Sequence, residues 1–145
     1  MKMVYNGCFL TRFGQNDLLT WWSFNTGGGI MGSKIPEDAK MHVHHMTSFF
    51  RPKGEEKNLP YGEEVPLIVI GYQVTDELGV AVVQCSTPSK NEVKHITMWT
   101  APGVSPAKSN QVLQEIGWIP ADPFPIQSIV GYFDGKEVVT SAFSK

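Results

Sequence analysis

Two short triplets, His45-Met46-Thr47 and His95-Ile96-Thr97, lie fifty positions apart in the chain, each within a run of apolar residues. Residues i and i+2 of a β-strand point to the same face, so each triplet can present an imidazole and a hydroxyl side by side. Two such pairs brought together would supply two proton-transfer groups, because an imidazole titrates near neutrality. They would also supply two hydroxyl donors for the nonbridging oxygens of a phosphate. That set suffices to cut a phosphodiester without a metal. One histidine takes a proton from water, the other protonates the leaving oxygen, and the hydroxyls hold the developing charge.

Presentation depends on the strands. On a regular strand over 41–50, Met41, Val43, His45, Thr47 and Phe49 share one face, and His42, His44, Met46, Ser48 and Phe50 share the other. On 94–100, His95, Thr97 and Trp99 face away from Lys94, Ile96 and Met98. His42 and His44 together raise the possibility of a metal site, but zinc takes three or four protein ligands. His45 points away from them, and no Cys-x-x-Cys or His-Glu-x-x-His accompanies them. They read as surface or packing residues, and no cofactor is expected. Nothing local marks Cys8 or Cys85 as an activated nucleophile, and no Gly-x-Ser-x-Gly elbow is present. Glu55-Glu56 and Glu63-Glu64 read as solvated loop residues.

The rest of the pattern is strand-rich. Strands are expected at 3–11, 41–50, 66–75, 79–85, 94–100, 126–133 and 136–143, with turn residues Asp76-Glu77-Leu78 and Asp134-Gly135 marking two hairpins. The apolar spacing predicts a short helix from Asp17 to Phe24, carrying Leu18, Leu19, Trp21 and Trp22. A second helix is expected from Ser105, with Pro106 in its first turn, to Ile116, stopped by Gly117. Gly27, Gly28 and Gly29 read as a flexible connection, since no lysine-serine pair follows at phosphate-loop spacing. The segment from Arg51 to Glu64 and the proline-rich stretch 120–125 read as loops. Several hairpins and few helices place the chain in the α+β class with antiparallel sheet.

A chain of 145 residues, 41% of them hydrophobic, is long enough for one domain with a real core. The formal charge of −2 argues against a broadly basic nucleic-acid surface but leaves room for a small nucleotide in a locally positive cleft. No apolar run approaches the roughly 20 residues of a spanning helix, and the first residues lack the apolar core of a signal peptide. Two cysteines without such a signal read as free thiols in a cytoplasmic protein. No coiled-coil or interface stripe is visible, and the chain is read as a monomer.

The triplets, together with YNGCFLT (5–11), HITMWTAPGVSPAKSNQVL (95–113) and SIVGYFDGK (128–136), resemble the two-histidine (2H) phosphoesterases. The likeness is greatest to the branch of the 2′,3′-cyclic nucleotide 3′-phosphodiesterases and of the cyclic phosphodiesterase domain of fungal tRNA ligases. The matches fall in the same order and span most of residues 1–145. The gap between the triplets is short for the family, and Val93 stands where a basic residue often lies. The resemblance implies a single bilobal domain, with two antiparallel sheets flanking a central cleft and a few helices outside. It implies His45, Thr47, His95 and Thr97 as the catalytic four, and Tyr5, Phe50 and Pro106 as substrate contacts. It further implies a metal-independent phosphodiesterase that opens the 2′,3′-cyclic phosphates of nucleotides or RNA ends to 2′-phosphates, with His95 as base and His45 as acid. Two other functions fit the same residues: hydrolysis of cyclic oligonucleotide immune signals, as in small viral 2H proteins, and an idle module that only binds a nucleotide or RNA end.

Overall fold

A computed structural model describes residues 2–26, 35 and 37–141. Eight strands and two helices occur among them, in the order β1 (Tyr5–Leu10), α1 (Arg12–Asn25), β2 (Lys40–Met41), β3 (His45–Phe50), β4 (Glu64–Val74), β5 (Leu78–Gln84), β6 (His95–Thr100), α2 (Lys108–Glu115), β7 (Ile119–Phe133) and β8 (Val138–Val139). The fold is mixed α+β. All pairings are antiparallel, in the order β1-β3-β6-β5-β4-β7, and β7 pairs back onto β1, so six strands close into a barrel. The short β2 and β8 hang on β6 and β7. The described strands thus form one continuous ladder rather than two separate sheets. Its narrowest seam lies between β3 and β6, which meet at the single pair Met46↔Ile96.

Closure gives the sheet an inside and an outside. Cys8, Met46, Leu67, Val69, Ala81, Ile96, Met98, Trp99 and Val130 fill the inside, together with Leu18, Trp21 and Trp22 of α1. On the outside, α2 lays Val112 and Leu113 over Leu78, Val80 and Val82 of β5. No described helix is long and apolar enough to cross a membrane.

Several boundaries differ from the sequence expectation, each for a local reason. Helix α1 begins at Arg12 rather than Asp17, because the Thr11 hydroxyl accepts the Gly14 N–H and caps it. Helix α2 begins at Lys108 because the Ser105 hydroxyl takes the Ala107 N–H in a separate turn; it ends as expected at Gly117, whose φ is +85°. The stretch 120–125 is strand, not loop. Pro120 and Pro125 pair with Gly71 and Ile68 of β4, while β1 reaches β7 only from Ser128 onward. With a partner on one edge alone, this segment can lack N–H donors on the other. The expected strand 41–50 is interrupted at 42–44, where Val43 takes φ +39° and turns into the core beside Met46. The last strand is reduced to Val138–Val139; its expected end at 142–143, like Gly27–Gly29, lies outside the described residues.

β1 and β3 approach closely at Gly7, which pairs with Thr47, and a Cβ at Gly7 would overlap the Met46 carbonyl oxygen. Gly7→Ala must therefore push β1 off β3. It is expected to cost about 1–3 kcal/mol, as overpacking does, read as a lowered denaturant midpoint at unchanged slope.

Candidate active site

Met46 and Ile96 are both fully buried inside the barrel, so their neighbours in each triplet face outward. The antiparallel register about that pair crosses the triplets: His45 lies across from Thr97, and Thr47 across from His95. The four expected residues are thus brought to one patch of the outer wall. Each strand carries an extra residue immediately after its triplet. Ser48 is skipped between the pairs Gly7↔Thr47 and Asn6↔Phe49, and Met98 between Val80↔Thr97 and Gly79↔Trp99.

These two β-bulges reverse the alternation downstream. Trp99 therefore joins Ile96 and Met98 in the core instead of sharing the His95 face. Phe49 falls opposite the buried Asn6, and Phe50 pairs with Tyr5. Phe50 accordingly belongs to the outer face of His45, not to the opposite one that a regular strand assigns it. Tyr5 stacks on His45 with ring centres 4.6 Å apart, and Phe9, on the same face of β1 and stacked on Tyr5, lies 5.3 Å from His45. Phe133 extends the aromatic row, 5.3 Å from Tyr5. Phe50 itself is 64% exposed, with the Arg51 guanidinium 5.3 Å from its ring centre.

Each site histidine has its Nδ1 occupied. His95, only 7% exposed, places Nδ1 2.7 Å from the Val93 carbonyl oxygen. A carbonyl can only accept, so the neutral ring carries its proton on Nδ1 and offers a lone pair on Nε2. His45 places Nδ1 3.1 Å from Nδ1 of His44, whose ring meets it edge-on. Nε2 is again the nitrogen left for a ligand. Burial pushes the His45 pKa down to about 3, and the neighbouring charges of His44, His42 and His95 push the same way. Burial also lowers His95, against a smaller upward pull from its hydrogen bond to Val93. Both rings are neutral at pH 7 in the free protein.

The two threonines are held differently, Thr97 at its hydroxyl and Thr47 at its backbone carbonyl. Thr97 Oγ1 lies 3.0 Å from Ser109 Oγ, a fully buried serine of α2. The Thr47 carbonyl accepts from the Ser89 hydroxyl at 2.8 Å, and the bulge residue Ser48 accepts at its carbonyl from the Lys90 N–H. Ser109 and Ser89 had no signal in sequence, because both act from elements whose docking is tertiary. Pro106 is exposed and touches this network only through its carbonyl, which accepts from the Ser109 N–H. Lys94, next to the second triplet, donates to the Cys85 carbonyl. His42 turns to the Thr100 hydroxyl at 3.0 Å, leaving His44 to His45. Among the described residues no three His, Cys, Asp or Glu side chains group as metal ligands. Cys8 and Cys85 are free thiols; Cys85 lies 3.5 Å from the Met46 sulfur beneath the triplets, and its hydrogen bond with Cys8 favours its thiolate.

Two cavities flank the patch without being lined by the triplets. One of about 590 Å³ is bounded by Phe50, Arg51, Lys53, Glu55, Glu56 and Lys90. The other, of about 650 Å³, includes Val82, Cys85, Val93, Lys94 and Trp118.

A histidine whose pKa is lowered by folding binds its proton more readily in the unfolded chain. The stability it contributes is complete above its unfolded pKa of about 6.5 and is lost as pH falls toward the folded value. For His45 that window runs from about 6.5 down to about 3. Denaturant midpoints should fall across it, and His45→Gln should flatten the decline. A scan against protein-family models finds no match for this chain, and a search of curated proteins finds none either.

Proposed function

We propose that the chain is a metal-independent phosphodiesterase of the 2H type that opens 2′,3′-cyclic phosphates at the ends of RNA or on nucleotides. One observation carries this reading: the Met46↔Ile96 pair, which sets two imidazoles and two hydroxyls in crossed order on one face. A tetrahedral phosphate needs such an arrangement, with proton-transfer groups on opposite sides and donors between them. In this reading the barrel acts as two lobes meeting at the single-bridge seam, and the substrate phosphate sits over it.

Water attacks phosphorus as the P–O3′ bond breaks. His95, whose Nε2 holds a lone pair, takes the water proton. His45 gives the Nε2 proton of its imidazolium to the departing 3′ oxygen, leaving a 2′-phosphate. Thr47 and Thr97 bond the nonbridging oxygens. The phosphate charge itself favours protonation of His45 on binding, against the desolvation that keeps it neutral in the free protein. Tyr5 and Phe50 offer ring faces to a base. In the cavity beyond Phe50, Arg51, Lys53 and Lys90, standing beside Glu55 and Glu56, would meet the preceding phosphates of an RNA strand. Pro106 bears on the substrate only through Ser109.

The decisive assay is release of 2′-phosphate from 2′,3′-cyclic nucleotides and from RNA ending in the cyclic phosphate, with EDTA present. Turnover is expected to survive chelation, and His45→Ala and His95→Ala are each expected to lose at least about 10²-fold, the usual worth of a positioned proton-transfer group. Tight binding without turnover would instead identify a binding module. Turnover of cyclic oligonucleotides alone would move the substrate to that class.

The pH profile follows from the two lowered histidines. The reaction needs one imidazole neutral and one protonated, so kcat/KM should peak below about pH 6.5. On its acid side the base becomes protonated, and on its alkaline side the acid loses its proton. The optimum of kcat should lie higher than that of kcat/KM, because bound phosphate raises both groups.

A further inference from the structure

We infer that His44 is the positioning residue of this site: its Nδ1 accepts the Nδ1–H of His45 and keeps the working nitrogen of His45, Nε2, directed to the phosphate. This role rests on the phosphodiesterase reading of the four residues, and it adds a third histidine that the two triplets do not contain. The two Nδ1 atoms are 3.1 Å apart, and at that distance one must carry a proton for the other to accept. Two arrangements satisfy the contact. If His44 were the donor, His45 Nδ1 would have to hold a lone pair, and the contact would be lost whenever His45 becomes the imidazolium that the reaction needs, because both of its nitrogens then carry protons. With His45 as donor, its N–H is paired, and the exposed His44 keeps its own proton on Nε2 in reach of water.

The result mirrors His95, whose Nδ1–H is held by the Val93 carbonyl. Both working rings then present Nε2, as a lone pair when neutral and as a donor when protonated. The proton balance of the reaction is unchanged, since His44 gains and loses none. His44 is itself placed by the Val43 turn: φ +39° there breaks the strand, and the His44 carbonyl accepts the Leu10 N–H while its ring meets Phe9 edge-on at 5.5 Å. On a regular strand His44 would point to the other face from His45. The groups that act on the pair are the rings of Tyr5 and Phe9 from β1, His42 with Lys40 beside it, and His95 from β6.

Two substitutions at this exposed position test the role. In His44→Asp the acceptor is kept and made anionic; in His44→Leu it is removed. Long-range nitrogen–proton NMR of the intact chain at neutral pH reads the His45 tautomer directly. The wild type and His44→Asp should carry the proton on Nδ1, with the His45 titration moved upward in His44→Asp. His44→Leu should show His45 protonated on Nε2. In the turnover assay His44→Leu should lose about 10–100-fold in kcat, the scale on which removal of an orienting partner acts, with little change in KM. His44→Asp should recover most of that and shift the alkaline limb of the profile upward. A wild-type His45 protonated on Nε2, or a tautomer unchanged in His44→Leu, overturns the role of His44. Absence of turnover by wild type with the expected tautomers overturns the phosphodiesterase reading alone.

Discussion

Met46 and Ile96 are buried against the inside of the barrel wall, and the arrangement of every residue on the outer face above them depends on that burial. Each is the middle of a triplet, and each contributes about 1.5–3 kcal/mol by leaving water. A slip of one residue by either strand against the other would expose its apolar middle residue and turn its two polar neighbours inward. The register of the candidate site is therefore held by apolar side chains that never touch a ligand. The same pair is the one bridge between β3 and β6, and before β3 the chain stays bonded to β6 through the His42 N–H to the Met98 carbonyl and the Val43 N–H to the Thr97 carbonyl.

Around that fixed centre the protein departs from regular geometry where polar groups must be aimed. A bulge after Thr47 and another after Thr97 end each triplet in the same way, so that the residues beyond serve different surfaces. One sends Phe50 out beside Tyr5, and the other sends Trp99 into the core against Trp22 and Gly79. The left-handed turn at Val43 does the corresponding work before the first triplet. Burial then takes over the electrostatics: with aromatic rings on His45 and no carboxylate among the charges that shift it, the imidazole stays neutral until an anion arrives.

Much of this was legible in the sequence, and the rest was hidden for physical reasons. His45 with Thr47, and His95 with Thr97, are readable because i, i+2 presentation needs only a locally extended chain. The α+β class is readable from hairpins such as that at Asp134-Gly135, whose Asp134 carboxylate accepts two N–H groups of the turn. The faces of Phe50 and Trp99 were misassigned because a bulge is a property of two strands, and nothing in Thr47-Ser48 or Thr97-Met98 announces it. Ser109 and Ser89 were invisible for the same reason. His44 was set aside because a regular strand points it away from His45, and a single φ at Val43 reverses that. The strand through Pro120 and Pro125 was missed because proline is excluded from a ladder only where both edges are used.

That last segment has a consequence for how the molecule meets others of its kind. A closed barrel hides its backbone donors, but from Ile119 to Gln127 strand β7 has β4 on one side and no described strand on the other. An edge of that length is a template on which a second chain can extend the sheet. Pro120, Pro123 and Pro125 each remove a donor from the segment, so an incoming strand finds no unbroken row of partners. The prolines act as a guard against sticking, placed along a margin that the described strands leave unpaired.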